Sequence, residues 1–321
     1  MNFNKPKFWN NQFSLLSFVL YPFSLIYTLL FNLKRILSKK ISFSKPVICI
    51  GNIYLGGSGK TPLAITISKM LLQNSFNPAI IRKKYDSQFD EVDMIKEHFS
   101  KIFEHKKRKL AIETAITKGH DFLVMDDGMQ DFSIKTNLNI VCFNTEQLEG
   151  NGFVLPAGPL REKLNGLKRC KIAVLNGEKN EKFERKLKKE SNSIKIFYSK
   201  YRLENFDHLR NKKILCFAGI GSPSNFFKIL EENGIKVNKK ISFPDHYNYR
   251  KKDLDFINEL AKKHDLEVIT TEKDFFRLKK IGYENIKFVR VNLVIEKEKE
   301  LLKYIIDSKW LRYLNIFYNR F

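Results

Sequence analysis

Cysteine is scarce in this chain, no tract is of low complexity, and acidic residues are heavily outnumbered; each shortage excludes something. The 4 cysteines among 321 residues, Cys49, Cys142, Cys170 and Cys216, stand singly inside the apolar runs VICI, VCF, KRCKIAVL and ILCFAG. No CxxC and no close Cys/His pair occurs, which excludes a disulfide-built scaffold and a structural zinc site and predicts reduced, buried thiols. Disorder would require few aromatic and β-branched residues, but 13% of the chain is aromatic and 43% hydrophobic. A real core therefore forms, in one large or two ordinary domains. Against 35 Asp and Glu stand 58 Lys and Arg, a formal net charge of +23. That excess favours an anionic partner: nucleic acid, an anionic membrane surface or a phosphorylated substrate. The chain is also rich in Lys, Asn, Ile and Phe, a bias that base composition alone can produce, so charge narrows the partners without choosing among them. No nucleic-acid-binding motif accompanies the basic residues, which argues against RNA or DNA.

From Phe13 to Phe31 the run FSLLSFVLYPFSLIYTLLF carries no charge, and Lys34, Arg35, Lys39 and Lys40 follow it. Its length is close to the ~20 residues of a membrane span. Ser14, Ser17, Tyr21, Pro22, Ser24 and Tyr27 also suit an interfacial helix pair bent at Pro22. No small-x-small cleavage site follows, which disfavours a signal peptide, and a buried helical hairpin is the soluble alternative. Short apolar runs then alternate with helical patterns. Strands are predicted at Pro46–Gly51, Pro78–Ile81, Phe122–Met125, Asn139–Phe143, Lys171–Leu175 and Ile194–Ser199. Continuous apolar strands separated by helices imply a parallel sheet covered on both faces, an α/β fold. The pattern restarts with KILCFAG after Asn211, beyond the polar stretch Tyr201–Lys213. The organisation read from this is a membrane-associated segment at 1–40, an α/β domain with a phosphate loop at 41–205, a smaller α/β domain at 206–295, and a last helix at 296–321. That helix would pack back on the first domain or touch the membrane.

The strand PVICIG runs into NIYLGGSGKTP and then an apolar helix. Gly56, Gly57, Ser58 and Gly59 let backbone N–H groups approach phosphate oxygens, Lys60 reaches the β- and γ-phosphates, and Thr61 can ligate Mg²⁺. Pro62 suits the first helical turn. The usual GxxxxGK[ST] pattern wants glycine at position 54, where this chain has Tyr54. A second apolar strand ends in Asp126 and Asp127 within DDGMQ. Carboxylates there would meet the phosphate loop and hold Mg²⁺, although Asp-Asp-Gly is also good turn chemistry. Three further clusters stand out: LPAGPLREK with Arg161 and Glu162, FPDHYNY with Asp245 and His246, and TTEKD at Thr270–Asp274. TEKD only loosely approximates the Asn/Thr-Lys-x-Asp motif that would read guanine.

Together GNIYLGGSGKTP, DDGMQ, LPAGPLRE, FAGIGSPSNFF, FPDHYNY and TTEKD, in this order and preceded by the apolar N-terminal segment, so that the match runs from about residue 13 to residue 274, resemble the tetraacyldisaccharide 4′-kinase family of the lipid A pathway. The family's loop has the form GNxxxGGxGKTP, so Tyr54 fits it. The resemblance implies a P-loop NTPase-like domain with a smaller α/β domain and a membrane-associated N-terminal segment, at the cytoplasmic face of a bacterial inner membrane. It implies transfer of the γ-phosphoryl of ATP, with Mg²⁺, to the 4′-hydroxyl of a tetraacylated glucosamine disaccharide 1-phosphate. By the same resemblance Gly56–Thr61 hold the ATP phosphates, and Asp126 and Asp127 bind magnesium. Arg161 neutralises phosphate charge, and Glu162 organises metal or substrate. His246 works with an aspartate on the sugar hydroxyl; Asp90, in Phe89-Asp90-Glu91-Val92, is the counterpart of that aspartate. Arg108 matches a family arginine. No obligate protein partner is implied.

Departures are visible too. Asp131 stands where the family has histidine after DDGxQ, Lys83 and Lys84 replace an expected glycine, and Asp90 lacks its flanking Gly and Pro. Outside the family, a kinase of another lipid or sugar and a membrane-tethered nucleotide switch remain open. Taken without the resemblance, His246 reads equally as a turn histidine and Asp90 as a solvated helix-start carboxylate.

Overall fold

A computed structural model describes residues 6–11, 13–85, 89–204, 206–245 and 247–306, with the backbone alone for 89–91. In chain order the elements are α1 (Leu15–Leu37), β1 (Val47–Gly51), α2 (Lys60–Gln73), β2 (Pro78–Lys83), α3 (Phe89–His98), β3 (Ile102–His105), α4 (Arg108–Thr117), β4 (Phe122–Asp126) and β5 (Leu138–Asn144). There follow β6 (Ile172–Asn176), α5 (Glu181–Glu190), β7 (Lys195–Glu204), β8 (Ile214–Ala218), α6 (Pro223–Glu232), β9 (Val237–Ser242), α7 (Lys251–His264), β10 (Glu267–Thr271), α8 (Glu272–Lys280), β11 (Lys287–Ile295) and α9 (Glu298–Ile306).

The chain packs as two compact units. The first holds Pro6–Tyr85, Phe99–Lys200 and, of the described residues beyond, 293–306, and the second holds Asp86–His98 and Tyr201–Asn292. Strands of the first unit lie in the order β3-β2-β4-β1-β5-β6-β7, and all six neighbouring pairs are parallel. β1 and β4 occupy the middle and are buried at every residue, as strands covered on both faces must be. The second unit orders its strands β11-β10-β8-β9, again parallel, with β8 fully buried between two apolar clusters. Parallel strands place their carboxyl ends on one edge, where binding loops gather. All four cysteines are buried and unpaired by disulfides, as expected from their apolar settings.

Two expectations change in detail. The apolar segment is one helix, α1, running from Leu15 through Pro22 to Leu37, so neither a bent pair nor a buried hairpin forms. Pro22 stands in its second turn and has no N–H to give the Phe18 carbonyl, yet the helix runs on through it. A narrow stripe of α1 faces the first unit: Ser17 and Ser24 are buried, with Leu20, Tyr27, Thr28 and Phe31 half-buried. Ser24 Oγ donates to the Val154 carbonyl at 2.8 Å and accepts from Ala157 N–H at 3.1 Å. Asn151 donates to Ser17 Oγ at 3.0 Å, and Phe153 packs edge-on against Phe18 and Tyr21. The other side of α1 leaves Leu15, Leu16, Val19, Phe23, Leu25, Ile26, Leu29, Leu30, Leu33, Ile36 and Leu37 exposed. In addition, the helix predicted over 296–321 is α9, Glu298–Ile306, with residues 307–321 outside the described residues.

Candidate active site

The site forms where β1 and β4, adjacent and in register from Val47 with Leu123 to Ile50 with Asp126, end side by side. β1 hands over to the loop 52–59, in which Gly56 and Gly59 take φ of 134° and 84°. Those left-handed angles strain any side chain. Gly59 caps the 14-residue α2, and a helix N-terminus with free N–H groups is a ready anion site. Tyr54 explains its own presence. Fully buried, it stacks on Phe143, and its hydroxyl accepts the Asn144 N–H at 2.7 Å. A backbone bridge to Leu160 joins it to the LPAGPLRE segment. Position 54 is thus a wedge under the loop, while the left-handed backbone angles fall at the later glycines.

Beside the loop, Thr61 Oγ1 donates to Asp126 Oδ2 at 2.9 Å, and Lys60 Nζ lies 3.7 Å from Asp127 Oδ1. Asp126 is buried and its Oδ2 also sits 3.3 Å from Arg82 Nε. Asp127 holds a positive φ of 50°, a conformation costly for a non-glycine residue and found at functional turns. Arg108, buried, donates to the carbonyls of Asp127 at 2.7 Å and Asp126 at 3.3 Å, bracing that turn. Gly51 permits the close approach: a Cβ there would fall 2.6 Å from Cβ of Met129.

Arg161 reaches the same point, 3.5 Å from Asp127 Oδ1, and donates to Gln130 Oε1 at 2.9 Å. Glu162 is nearly inaccessible and accepts from Arg169 through both oxygens, at 2.6 and 2.7 Å, with Gln130 Nε2 at 3.2 Å from Oε1. Burial alone would lower the Arg169 pKa, but the Glu162 carboxylate outweighs it and raises it. Pairing and hydrogen bonding of this kind offset part of the desolvation cost that an isolated buried charge would bear in full. Asp131, the departure from the family's histidine, lies 3.2 Å from Arg108 and accepts the Ser133 hydroxyl at 2.6 Å.

Lys60, Thr61, Asp126, Asp127 and Arg161, together with Gly56–Gly59, are therefore brought to one place, and Glu162 stands behind Gln130. Asp90 occupies the first turn of α3, in the second unit, and its side chain lies outside the described residues, as does His246. Arg82, Gln130 and Arg169 carry weight that motif reading missed. A charge ending the apolar strand PAIIR was the one available signal for Arg82; Arg169, inside KRCK, had none. Among the described residues no cluster of three or more His, Cys, Asp or Glu side chains could hold a metal. The oxygen donors Thr61 Oγ1 and Asp126 Oδ2, in mutual contact, are nevertheless the hard donor pair that suits Mg²⁺ beside a nucleotide.

The profile of the family described as Tetraacyldisaccharide-1-P 4′-kinase matches residues 16–309. The chain belongs to this family. The tetraacyldisaccharide 4′-kinase of Pelagibacter ubique is 40% identical over 311 residues, covering 95% of this chain and 98% of its own. That of Rickettsia canadensis is 31% identical, covering 90% and 93%. A crystal structure of LpxK from Aquifex aeolicus in complex with ATP superposes with a TM-score of 0.71 at 25% identity, covering 91% of this chain and 99% of that one. This member of the tetraacyldisaccharide 4′-kinase family thus matches the family profile along almost the whole chain and shares its α/β fold with a solved relative.

Proposed function

We propose that this chain transfers the γ-phosphoryl group of ATP to the 4′-hydroxyl of a tetraacylated glucosamine disaccharide 1-phosphate, at the cytoplasmic face of the membrane. One observation carries the reading: Lys60 and Thr61 meet Asp127 and Asp126 at adjacent strand ends, in a chain matched to the kinase family over residues 16–309. In this proposal the backbone N–H groups of Gly56–Gly59 and the start of α2 cradle the phosphates. The ammonium of Lys60 and the guanidinium of Arg161 stabilise charge on the transferring group, positioned in advance so that little reorganisation is needed. Thr61 and Asp126, with Asp127 beside them, would hold Mg²⁺, which offsets phosphate charge when bound. Glu162 acts through Gln130, whose amide it holds while Arg161 donates to the same side chain. Asp90, working with His246, accepts the proton of the sugar hydroxyl, a poor nucleophile until deprotonated.

The long apolar helix is compatible with membrane association. Docking spaces from Ser17 to Phe31 tie about 20 Å of α1 to the first unit, which leaves too little free helix to cross a ~30 Å hydrocarbon core. The docked stripe therefore supports a helix lying in the interface, its opposite apolar face in lipid and Lys34, Arg35, Lys39 and Lys40 at anionic headgroups. The decisive assay combines vesicle-bound protein, labelled ATP and the acylated disaccharide 1-phosphate. Label should enter the lipid, and Lys60→Ala should abolish at least ~99% of that transfer. Transfer that survives the substitution would place the reaction at another site.

A further inference from the structure

TTEKD is the motif to which the kinase reading gives no task. In the second unit each of its five side chains grips a different neighbour. Thr270 Oγ1 donates to the Phe217 carbonyl at 2.9 Å, and Thr271 caps α8 by accepting the Asp274 N–H at 3.1 Å. Glu272, buried at the start of α8, contacts His98 Nε2 at 2.7 Å and accepts from Arg290 Nε at 3.0 Å. Lys273 Nζ lies 3.9 Å from Asp245. Asp274, fully buried, accepts the Gly219 N–H at 2.9 Å and Arg277 at 2.9 Å, while Arg277 donates to the Gly219 carbonyl at 2.7 Å.

The partners are informative. His98 ends α3, and two more ion pairs tie the same helix down: Lys280 to Asp93 at 3.2 Å and Arg290 to Glu97 at 2.8 Å. α3 is only 10 residues long, below the length at which a helix holds itself, so its placement depends on these ties and on buried Val92 and Ile95. Asp245 belongs to FPDHYNY, and Gly219 is pressed against that segment: a Cβ added there would lie 2.8 Å from the Tyr249 hydroxyl and 3.3 Å from Cβ of Tyr247. Buried carboxylates stabilise little for their desolvation cost, so two such groups in one pentapeptide call for another reason.

We propose that TTEKD is a positioning hub for the phosphoryl acceptor chemistry. Glu272 fixes the helix whose first turn bears Asp90, and Lys273 with Asp274 fixes the loops at 219 and 243–249, the stretch in which His246 falls. None of these three need touch substrate; they are positioning residues. The inference rests on the reading of Asp90 as the base, and displacing a base by about 1 Å costs on the order of 10²-fold.

The test uses the full chain on vesicles, with the acylated disaccharide 1-phosphate, labelled ATP, and the variants Glu272→Gln and Asp90→Asn singly and together. Glu272→Gln should lower kcat by about 10- to 100-fold while KM for ATP stays within about twofold. In the Asp90→Asn background it should change the residual rate by less than about twofold, because the group it positions is already gone. A loss of folded enzyme would instead scale the residual rate by the same factor as in the parent, and that result overturns the proposal. Slow Asp90→Asn with Glu272→Gln at full rate overturns the hub alone; Asp90→Asn at full rate overturns the base reading and the hub with it. Should Glu272→Gln fail to accumulate, His98→Ala, which leaves Arg290 on Glu272, carries the same comparison at a loss of about 3- to 10-fold.

Discussion

Restoring glycine at position 54, as the general phosphate-loop pattern has it, should weaken the protein. Tyr54 fills a fully buried space beneath the loop and receives the Asn144 N–H. Tyr54→Gly should therefore cost about 3–5 kcal/mol, as for other large aromatic deletions. Tyr54→Phe, which strands one buried donor, should cost about 1–3 kcal/mol; chemical denaturation of both variants measures the difference. Asp131 gives a pH signature. Burial would raise its pKa, but the Ser133 hydroxyl and the Arg108 guanidinium outweigh burial and hold the carboxyl below its ordinary value. A depressed folded pKa means stability that is present above the ordinary carboxylate range and is lost as pH falls through the folded value. Asp131→Asn should thus be less stable than the parent by about 1–3 kcal/mol at neutral pH, with the gap closing on acidification. A gap that stays constant to low pH would assign the effect to packing instead. The cysteines supply a third expectation. Burial pushes Cys49 and Cys170 up to about 12 and raises Cys142 and Cys216 as well. A thiol reagent should leave the native protein unmodified at neutral pH and label it fully only after unfolding.

At the scale of elements, α1 separates two roles along one helix. Ser17 and Ser24 bind the first unit, whereas Leu25, Ile26, Leu29, Leu30 and Leu33 face outward. Replacing those five by serine should abolish vesicle binding with little change in thermal stability, while Ser24→Val should lower stability and leave binding largely intact. Equal effects from both variants would mean that the outward face supports folding. The helix also shows how far pattern reading reached. β1, β4, β5 and β6 were legible because buried parallel strands are continuous apolar runs. β3, IFEH, and β11, KFVRVNLVI, were not, because charged and polar residues interrupt them and their pairing is set by distant strands. The continuity of α1 through Pro22 was hidden by a residue that usually breaks or kinks helices. The phosphate loop and Asp126–Asp127 could be read locally. Arg82 and Arg169 complete the site from elsewhere in the chain, and ordinary surface arginines look the same in sequence; Arg108 was marked only by the resemblance.

At the scale of the whole molecule, the second unit is discontinuous: Asp86–His98 joins Tyr201–Asn292 across the intervening strands of the first. Residues 201–292 expressed alone would lack α3, so Glu272 would lose His98 and Arg290 would lose Glu97, although the two stay paired with each other. Such a fragment should be poorly folded, and adding a peptide of residues 86–98 should raise its helicity by circular dichroism. A fragment that melts as cooperatively alone as with the peptide would show α3 to be dispensable. The same discontinuity has a consequence in time. During synthesis α3 leaves the ribosome about 180 residues before α8 does, an interval of roughly 10–35 s at ordinary elongation rates. Val92 and Ile95 must wait that long for the surface that covers them. The seven strands of the first unit can assemble in the meantime, and the second unit closes only when nearly the last of the chain is made.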